Sequence, residues 1–190
     1  MLVYIHGFNS AAQSYKAGLL RDHLARIGRA DQYACPELPH RPARAVALLR
    51  GLLEGLDPDS VTLVGSSLGG FYATWLVEHL GLRAVLVNPA VRPYELLAGH
   101  LGPQKNLYTG EVYEFTPQHI EELRALEVDA VTPSRYLLIT ATGDEMLDYR
   151  AGVARYAGCE QIVVTGSDHG FSGFADYLDA VVAFGQRGRV

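Results

Sequence analysis

Apolar and polar positions along the chain follow two alternating rhythms. An unbroken apolar run, Leu2–Ile5, followed by a Gly-Phe-Asn-Ser turn, reads as a strand leading into a loop. From Ser14 the residues Leu19, Leu20, His23, Leu24 and Ile27 recur at helical spacing, and Gly28 stands where a helix C-terminus is expected. Tyr33-Ala34-Cys35 predicts a short strand ending at Pro36 and Pro39, because proline brings no amide to a central ladder. After Pro42, Val46, Leu49, Leu53 and Leu56 mark one face of a second helix, ended by Asp57-Pro58-Asp59, and residues 61–64 form a candidate buried parallel strand. Beyond a glycine turn, residues 71–80 read as a helix apolar nearly all round, Gly81 as its cap and residues 84–87 as the next strand.

The same alternation returns late in the chain, with strands expected over 136–140 and 162–165 and helices over 149–156 and 174–184. Strand and helix in turn imply an α/β fold: one domain with a mostly parallel sheet and helices on both faces. The rhythm lapses between residues 92 and 133, which are polar with scattered aromatics (Tyr94, Tyr108, Tyr113 and Phe115). Helical pieces are expected near 94–98 and 117–126. So long a tract between two core strands suggests a lid-like excursion over the strand ends.

Composition narrows the partners. A length of 190 residues favours a single domain spanning 1–190, and 48% hydrophobic content is enough to fill its core. With 16 Lys+Arg against 21 Asp+Glu the net charge is -5, so a nucleic-acid duplex or an anionic lipid surface would on balance repel the chain. Cys35 and Cys159 have neither the spacing of a zinc site nor that of a disulfide framework and are expected to be reduced, packed thiols. The opening residues have no basic n-region and no long apolar stretch, which predicts a cytoplasmic protein. Residues 60–77 carry no charge and reach the length of a membrane span, but Gly65-Ser66-Ser67-Leu68-Gly69-Gly70 interrupts them. Two buried elements joined by a tight turn explain that segment better than a span.

The same turn carries the first candidate chemistry. Gly65-Ser66-Ser67-Leu68-Gly69 matches G-x-S-x-G between an apolar strand and a helix, which makes Ser67 the candidate nucleophile and the Leu68 amide a candidate oxyanion donor. A flexible or phosphate-cradling turn is the competing interpretation, but the lysine of a P-loop and the spacing of a dinucleotide site are both missing. Gly166-Ser167-Asp168-His169-Gly170 places His169 after the last predicted strand, on the same rim as Ser67, where an imidazole can take the serine's proton and return it. Thr142-Gly143-Asp144-Glu145 offers Asp144 to orient that imidazole, with Glu145, Asp148 and Asp168 as competitors. The order Ser67, Asp144, His169 is that of a sheet-borne serine hydrolase.

His6-Gly7-Phe8-Asn9-Ser10 follows the first strand, where an HG-type loop supplies a second oxyanion amide, with Phe8 as the donor and His6 in a structural hydrogen-bonding role. Asn88 and Arg92, in the turn after the 84–87 strand, are candidates to touch substrate; the alternative is that they and the neighbouring prolines only shape the chain's exit into the excursion. His23, His40, His79, His100 and His119 lack ligand spacing, so no metal is assigned.

Taken together, His6-Gly-Phe-Asn-Ser, Gly65-Ser-Ser-Leu-Gly-Gly, Asn88-Pro-Ala-Val-Arg-Pro, Tyr108-Thr-Gly, Thr142-Gly-Asp-Glu and Asp168-His-Gly-Phe make the chain resemble the small YqiA-type esterases of the α/β-hydrolase superfamily. The resemblance implies carboxylester hydrolysis by Ser67, Asp144 and His169 on a shortened core whose first strand corresponds to the third of the full superfamily sheet. The expected function is thus a serine esterase acting on small, short-chain acyl esters through an acyl-enzyme, with no cofactor. A thioesterase or amidase with the same three residues, a cofactor-free lyase, and a non-catalytic binding module on the same fold are the alternatives.

Overall fold

The computed structural model describes residues 1–187, so the last three residues of the expected 1–190 domain lie outside the described residues. In chain order the strands are β1 (Leu2–Ile5), β2 (Tyr33–Ala34), β3 (Thr62–Ser66), β4 (Arg83–Val87), β5 (Gly102–Lys105), β6 (Val112–Phe115), β7 (Tyr136–Ala141) and β8 (Glu160–Val164). The helices are α1 (Tyr15–Arg26), α2 (Pro42–Leu53), α3 (Leu68–Leu80), α4 (Pro93–Leu96), α5 (Pro117–Arg124), α6 (Tyr149–Arg155) and α7 (Leu178–Gln186). Six strands pair in the order β2-β1-β3-β4-β7-β8, every pair parallel.

The side-chain period of two along each strand divides the core into two layers. Val3 and Ile5 of β1 face one layer with Leu63, Leu86 and Leu138, covered by α2 and α3 through Val46, Leu49, Phe71, Leu76 and Val77. Leu2 and Tyr4 face the other with Val85, Leu137 and Ile139, covered by α1 through Leu20 and Leu24 and by α7 through Val181 and Phe184. Both faces of the sheet are thus dry, which is why its strands read as continuous apolar runs. Among the described residues no helix is long and apolar enough to cross a membrane; residues 60–77 are instead β3 and the first part of α3, joined at Ser67.

Several boundaries differ from the sequence expectation. Helix α3 begins at Leu68 rather than 71, because the turn consumes the single residue Ser67. Helix α2 stops at Leu53, leaving Leu56 beyond it and exposed. The last expected helix starts as a 3₁₀ turn, Phe174–Tyr177, before α7. Residues 92–133 hold helices α4 and α5 near the expected places, and also an antiparallel hairpin, β5 with β6, running from Gly102 opposite Phe115 to Lys105 opposite Val112. Gly-Pro-Gln-Lys has no strand pattern and low strand propensity, so only its pairing with β6 makes it a strand.

The excursion is tied down from its own residues. Pro117 opens α5 behind Thr116, and the Thr116 amide donates to His119 Nδ1 at 3.1 Å in a reciprocal cap. His119 also meets His40 Nδ1 through its Nε2 at 3.0 Å, and Arg41 pairs with Glu122 of α5. Among the described residues no three or more His, Cys, Asp or Glu side chains lie together as a metal-ion cluster. Cys35 and Cys159 are both unpaired, and burial pushes the Cys35 thiol up to about 11.

Candidate active site

The carboxyl ends of β1, β3, β4, β7 and β8 meet at one rim of the sheet, and the unusual backbone of the molecule collects there. The six non-glycine residues with positive φ among those described, Asn9, Ser67, Asn88, Arg92, Ser167 and Phe171, all lie in loops that follow these strands. Such conformations persist only where the surroundings enforce them, and they gather at functional sites.

Ser67 has φ 53 and ψ -122, well outside the ordinary regions, at the point where β3 turns into α3. The turn is possible because its neighbours have no side chains. A Cβ on Gly69 would lie 2.0 Å from the Ile5 carbonyl oxygen, and one on Gly65 would lie 2.5 Å from the Gly69 oxygen. No residue larger than glycine fits at either place without parting α3 from the sheet. Gly7 of the β1 loop packs against the serine less tightly, where an added Cβ would stand 3.2 Å from the Ser67 Cβ. The Phe8 and Leu68 amides flank the serine and have no protein acceptor among the described residues.

His169 is held by a loop zipped to the one that carries Asp144. The Gly143 amide donates to the Gly166 oxygen at 2.9 Å and the Gly166 amide to Thr142 Oγ1 at 2.9 Å. The approach is close enough that a Cβ on Gly143 would meet the Ser167 oxygen at 2.3 Å. In this frame His169 Nδ1 lies 2.9 and 3.1 Å from the two oxygens of Asp144, whose side chain is only 2% exposed. Asp144 also accepts from the amides of Met146 and Leu147 at 2.9 and 2.8 Å. Burial alone would push its carboxyl up; the hydrogen bonds from His169 and the two amides outweigh that and hold it below the usual carboxylate range.

The competing carboxylates are occupied elsewhere. Glu145 accepts from the His169 backbone amide at 2.9 Å, Asp148 caps the start of α6 through the Arg150 amide at 3.0 Å, and Asp168 accepts from the Ser172 amide at 3.1 Å. Behind the loop, Phe171 is fully buried edge-on to Phe174 and Tyr177. It anchors the His169 turn in the core.

Ser67 and His169 line one open cavity of about 320 Å³, together with Tyr4, Phe8, Asn9, Tyr15, Lys16, Leu107 and Tyr108. No direct hydrogen bond joins the serine to the ring among the described residues, a separation common where no substrate is bound. A second, narrow recess of about 30 Å³ shares the Gly7-Phe8-Asn9-Ser10 wall with it and is closed by Leu68, Tyr72, His40 and Tyr113.

His6 is buried: Leu38 donates its amide to Nε2 at 3.1 Å and Nδ1 meets the Gly7 oxygen at 3.1 Å, an arrangement that fixes the turn carrying Phe8. Burial pushes its imidazole below the ordinary histidine range.

Asn88 and Arg92 are not brought to the cavity. Asn88 is 2% exposed, with Oδ1 accepting from the Ala141 amide at 2.9 Å and Nδ2 donating to the Asp168 oxygen at 3.2 Å, so it ties the end of β7 to the His169 loop. Arg92 is exposed and lies 3.9 Å from Glu95. The cavity is instead walled in part by the tip of the β5–β6 hairpin, within the excursion expected to cover the strand ends, and by Lys16, which no sequence motif marks. That tip is tied to the β1 loop by the Leu107 amide to the Asn9 oxygen at 3.1 Å, Asn106 Nδ2 to the Ser10 oxygen at 2.8 Å and the Tyr113 hydroxyl to Asn9 Oδ1 at 2.8 Å.

A parallel six-stranded sheet in the order β2-β1-β3-β4-β7-β8, covered on both faces, is shared with α/β hydrolases of known structure, and it is the α/β-hydrolase fold that this chain adopts. Est1E from Butyrivibrio proteoclasticus superposes with a TM-score of 0.73 at 17% identity, over 96% of this chain and 85% of that one. Mouse alpha/beta hydrolase domain-containing protein 10 does so with a TM-score of 0.71 at 14% identity, over 96% and 89%. At these identities the likeness is one of fold.

Within that fold the chain belongs to the uncharacterised protein family UPF0227, whose model matches residues 1–186. A UPF0227 protein of Pectobacterium carotovorum subsp. carotovorum (strain PC1) is 23% identical over 186 residues, 97% of this chain and 98% of its own length.

Proposed function

We propose that the protein is a serine hydrolase of carboxylic esters with short acyl chains. The observation that carries this reading is the Asp144–His169 bond of 2.9 Å opening onto the same cavity as a serine held at positive φ. In the proposed cycle Ser67 Oγ attacks the ester carbonyl as His169 takes its proton. The bond to Asp144 keeps the other ring proton on Nδ1, so Nε2 is the atom that exchanges protons. The Leu68 and Phe8 amides donate to the oxyanion as it forms, and His169 returns the proton to the departing alcohol. A water then repeats the sequence on the acyl-serine.

The proposed lid role of residues 92–133 rests on the hairpin tip, which supplies Leu107 and Tyr108 to the cavity wall. Short acyl chains are favoured by the small recess beside Phe8 and Leu68, about 30 Å³, which is too small for a long chain. Across acetyl, butyryl, hexanoyl and octanoyl 4-nitrophenyl esters, kcat/KM should fall with length by about tenfold from butyryl to octanoyl, the order of a mismatched pocket. A profile that is flat or rises with length overturns the acyl assignment.

A fluorophosphonate probe tests the nucleophile directly. It should label Ser67 and no other hydroxyl, as located by peptide mass spectrometry, because Ser67 has both a base and oxyanion donors at hand. Labelling at Ser66, or ester turnover by unlabelled protein, refutes the assignment.

A further inference from the structure

The cavity that holds Ser67 and His169 also holds one of the chain's only two lysines. Lys16 Nζ donates to the backbone oxygens of Gly170 at 2.9 Å and His169 at 3.4 Å. An ammonium has three N–H groups, so these two neutral acceptors leave one donor without a hydrogen-bond partner. Asp144 and Asp168 act on it only through space, and neither makes a direct bond to Nζ; Asp144 is bonded to the His169 ring instead. Burial pulls the ammonium down to about 8, against the opposing influence of Asp144 and Asp168.

A second observation at the same wall points the same way. Ser14 occupies the cap position of the 12-residue helix α1 yet makes no cap bond, and its Oγ is buried with no partner, on a residue only 8% exposed that lines the cavity. The first turn of α1 contains no acidic residue, so its positive end is not neutralised locally. An ammonium with a spare donor, an idle buried hydroxyl and an uncapped helix end converge on one cavity wall, a combination suited to an anion.

We propose that the substrate ester carries an anionic group on its alcohol portion, held by Lys16 and Ser14. This inference rests on the ester-hydrolase reading and names its substrate class. The side follows from the proton path. His169 must reach the leaving oxygen, Lys16 is bonded to the backbone of that same histidine turn, and the recess beside Phe8 and Leu68 lies apart from both. The acyl group therefore takes the recess and the alcohol takes the larger cavity.

The test compares two acetate esters of nearly equal shape, 4-acetoxybenzoate and 4-acetoxybenzamide, which differ by a charge on the alcohol portion. The wild-type ratio of kcat/KM, anion over amide, should be about tenfold or more, the size of one charge-assisted hydrogen bond. It should fall to about one in Lys16→Met and be kept in Lys16→Arg. The ratio is read within each protein, so any displacement of His169 on losing the Lys16 bonds cancels. A wild-type ratio of one or less, or one unchanged in Lys16→Met, overturns the inference and leaves ester hydrolysis standing. Failure to turn over either ester, or the neutral 4-nitrophenyl acetate, overturns the hydrolase reading instead. In that case calorimetric titration decides the site: tighter binding of 4-acetoxybenzoate than of the amide, lost in Lys16→Met, supports it, and equal binding sinks it.

Discussion

Ser67→Ala is expected to lower kcat for a short-chain ester by about 10⁶-fold, the scale on which serine hydrolases fail when the nucleophile is removed. The Phe8 and Leu68 amides and the cavity remain, so turnover should stay above the uncatalysed rate by roughly 10³-fold. Ser67→Gly should lose as much activity but gain stability. The φ of 53 and ψ of -122 that strain a serine cost glycine little, and relief of about 1 kcal/mol is the low end for such a site. Steady-state kinetics and calorimetry on the two variants separate chemistry from strain. Ser67→Ala turnover within tenfold of wild type would place the nucleophile elsewhere.

The second large effect belongs to Asp144. Asp144→Asn keeps the shape of the side chain, and acceptors for the Met146 and Leu147 amides at Oδ1, but its amide favours the wrong imidazole tautomer. A fall in kcat of roughly 10⁴-fold is expected, as in other triads that lose this carboxylate. Asp148→Asn and Asp168→Asn should cost about tenfold or less, because each loses only a local bond to an amide, of Arg150 and Ser172 respectively. Combined with His169→Ala, the Asp144→Asn change should add little further loss, since no imidazole is left to orient. Near-normal turnover in Asp144→Asn with collapse in Asp148→Asn would move the acid to the start of α6.

Some of this was legible because local chemistry and fold agree. Apolar runs such as Leu2–Ile5 leave a strand no choice but a buried parallel sheet, and Gly65 and Gly69 around Ser67 announce a turn that no larger residue can make. The spacing of Ser67, Asp144 and His169 along alternating strands and helices places each after a strand end, and so all three at one rim. The hairpin was hidden because Gly-Pro-Gln-Lys becomes a strand only by pairing with Val112–Phe115 across a turn.

Asn88 and Lys16 divide sequence from structure most clearly. Asn88 stands beside a rim strand end, where sequence alone suggests substrate, but its side chain turns inward and is used up joining β7 to the His169 loop. Lys16 sits on the first helix, more than 150 residues from His169, and no local pattern marks it. The chain by itself determined the order of strands and helices and the side-chain types that make Ser67, Asp144 and His169 candidates, because those depend on periodicity and side-chain type. The composition of the cavity wall was decided only when the sheet order placed the start of α1 against the turn after β8, since contacts between distant segments leave no period in the sequence.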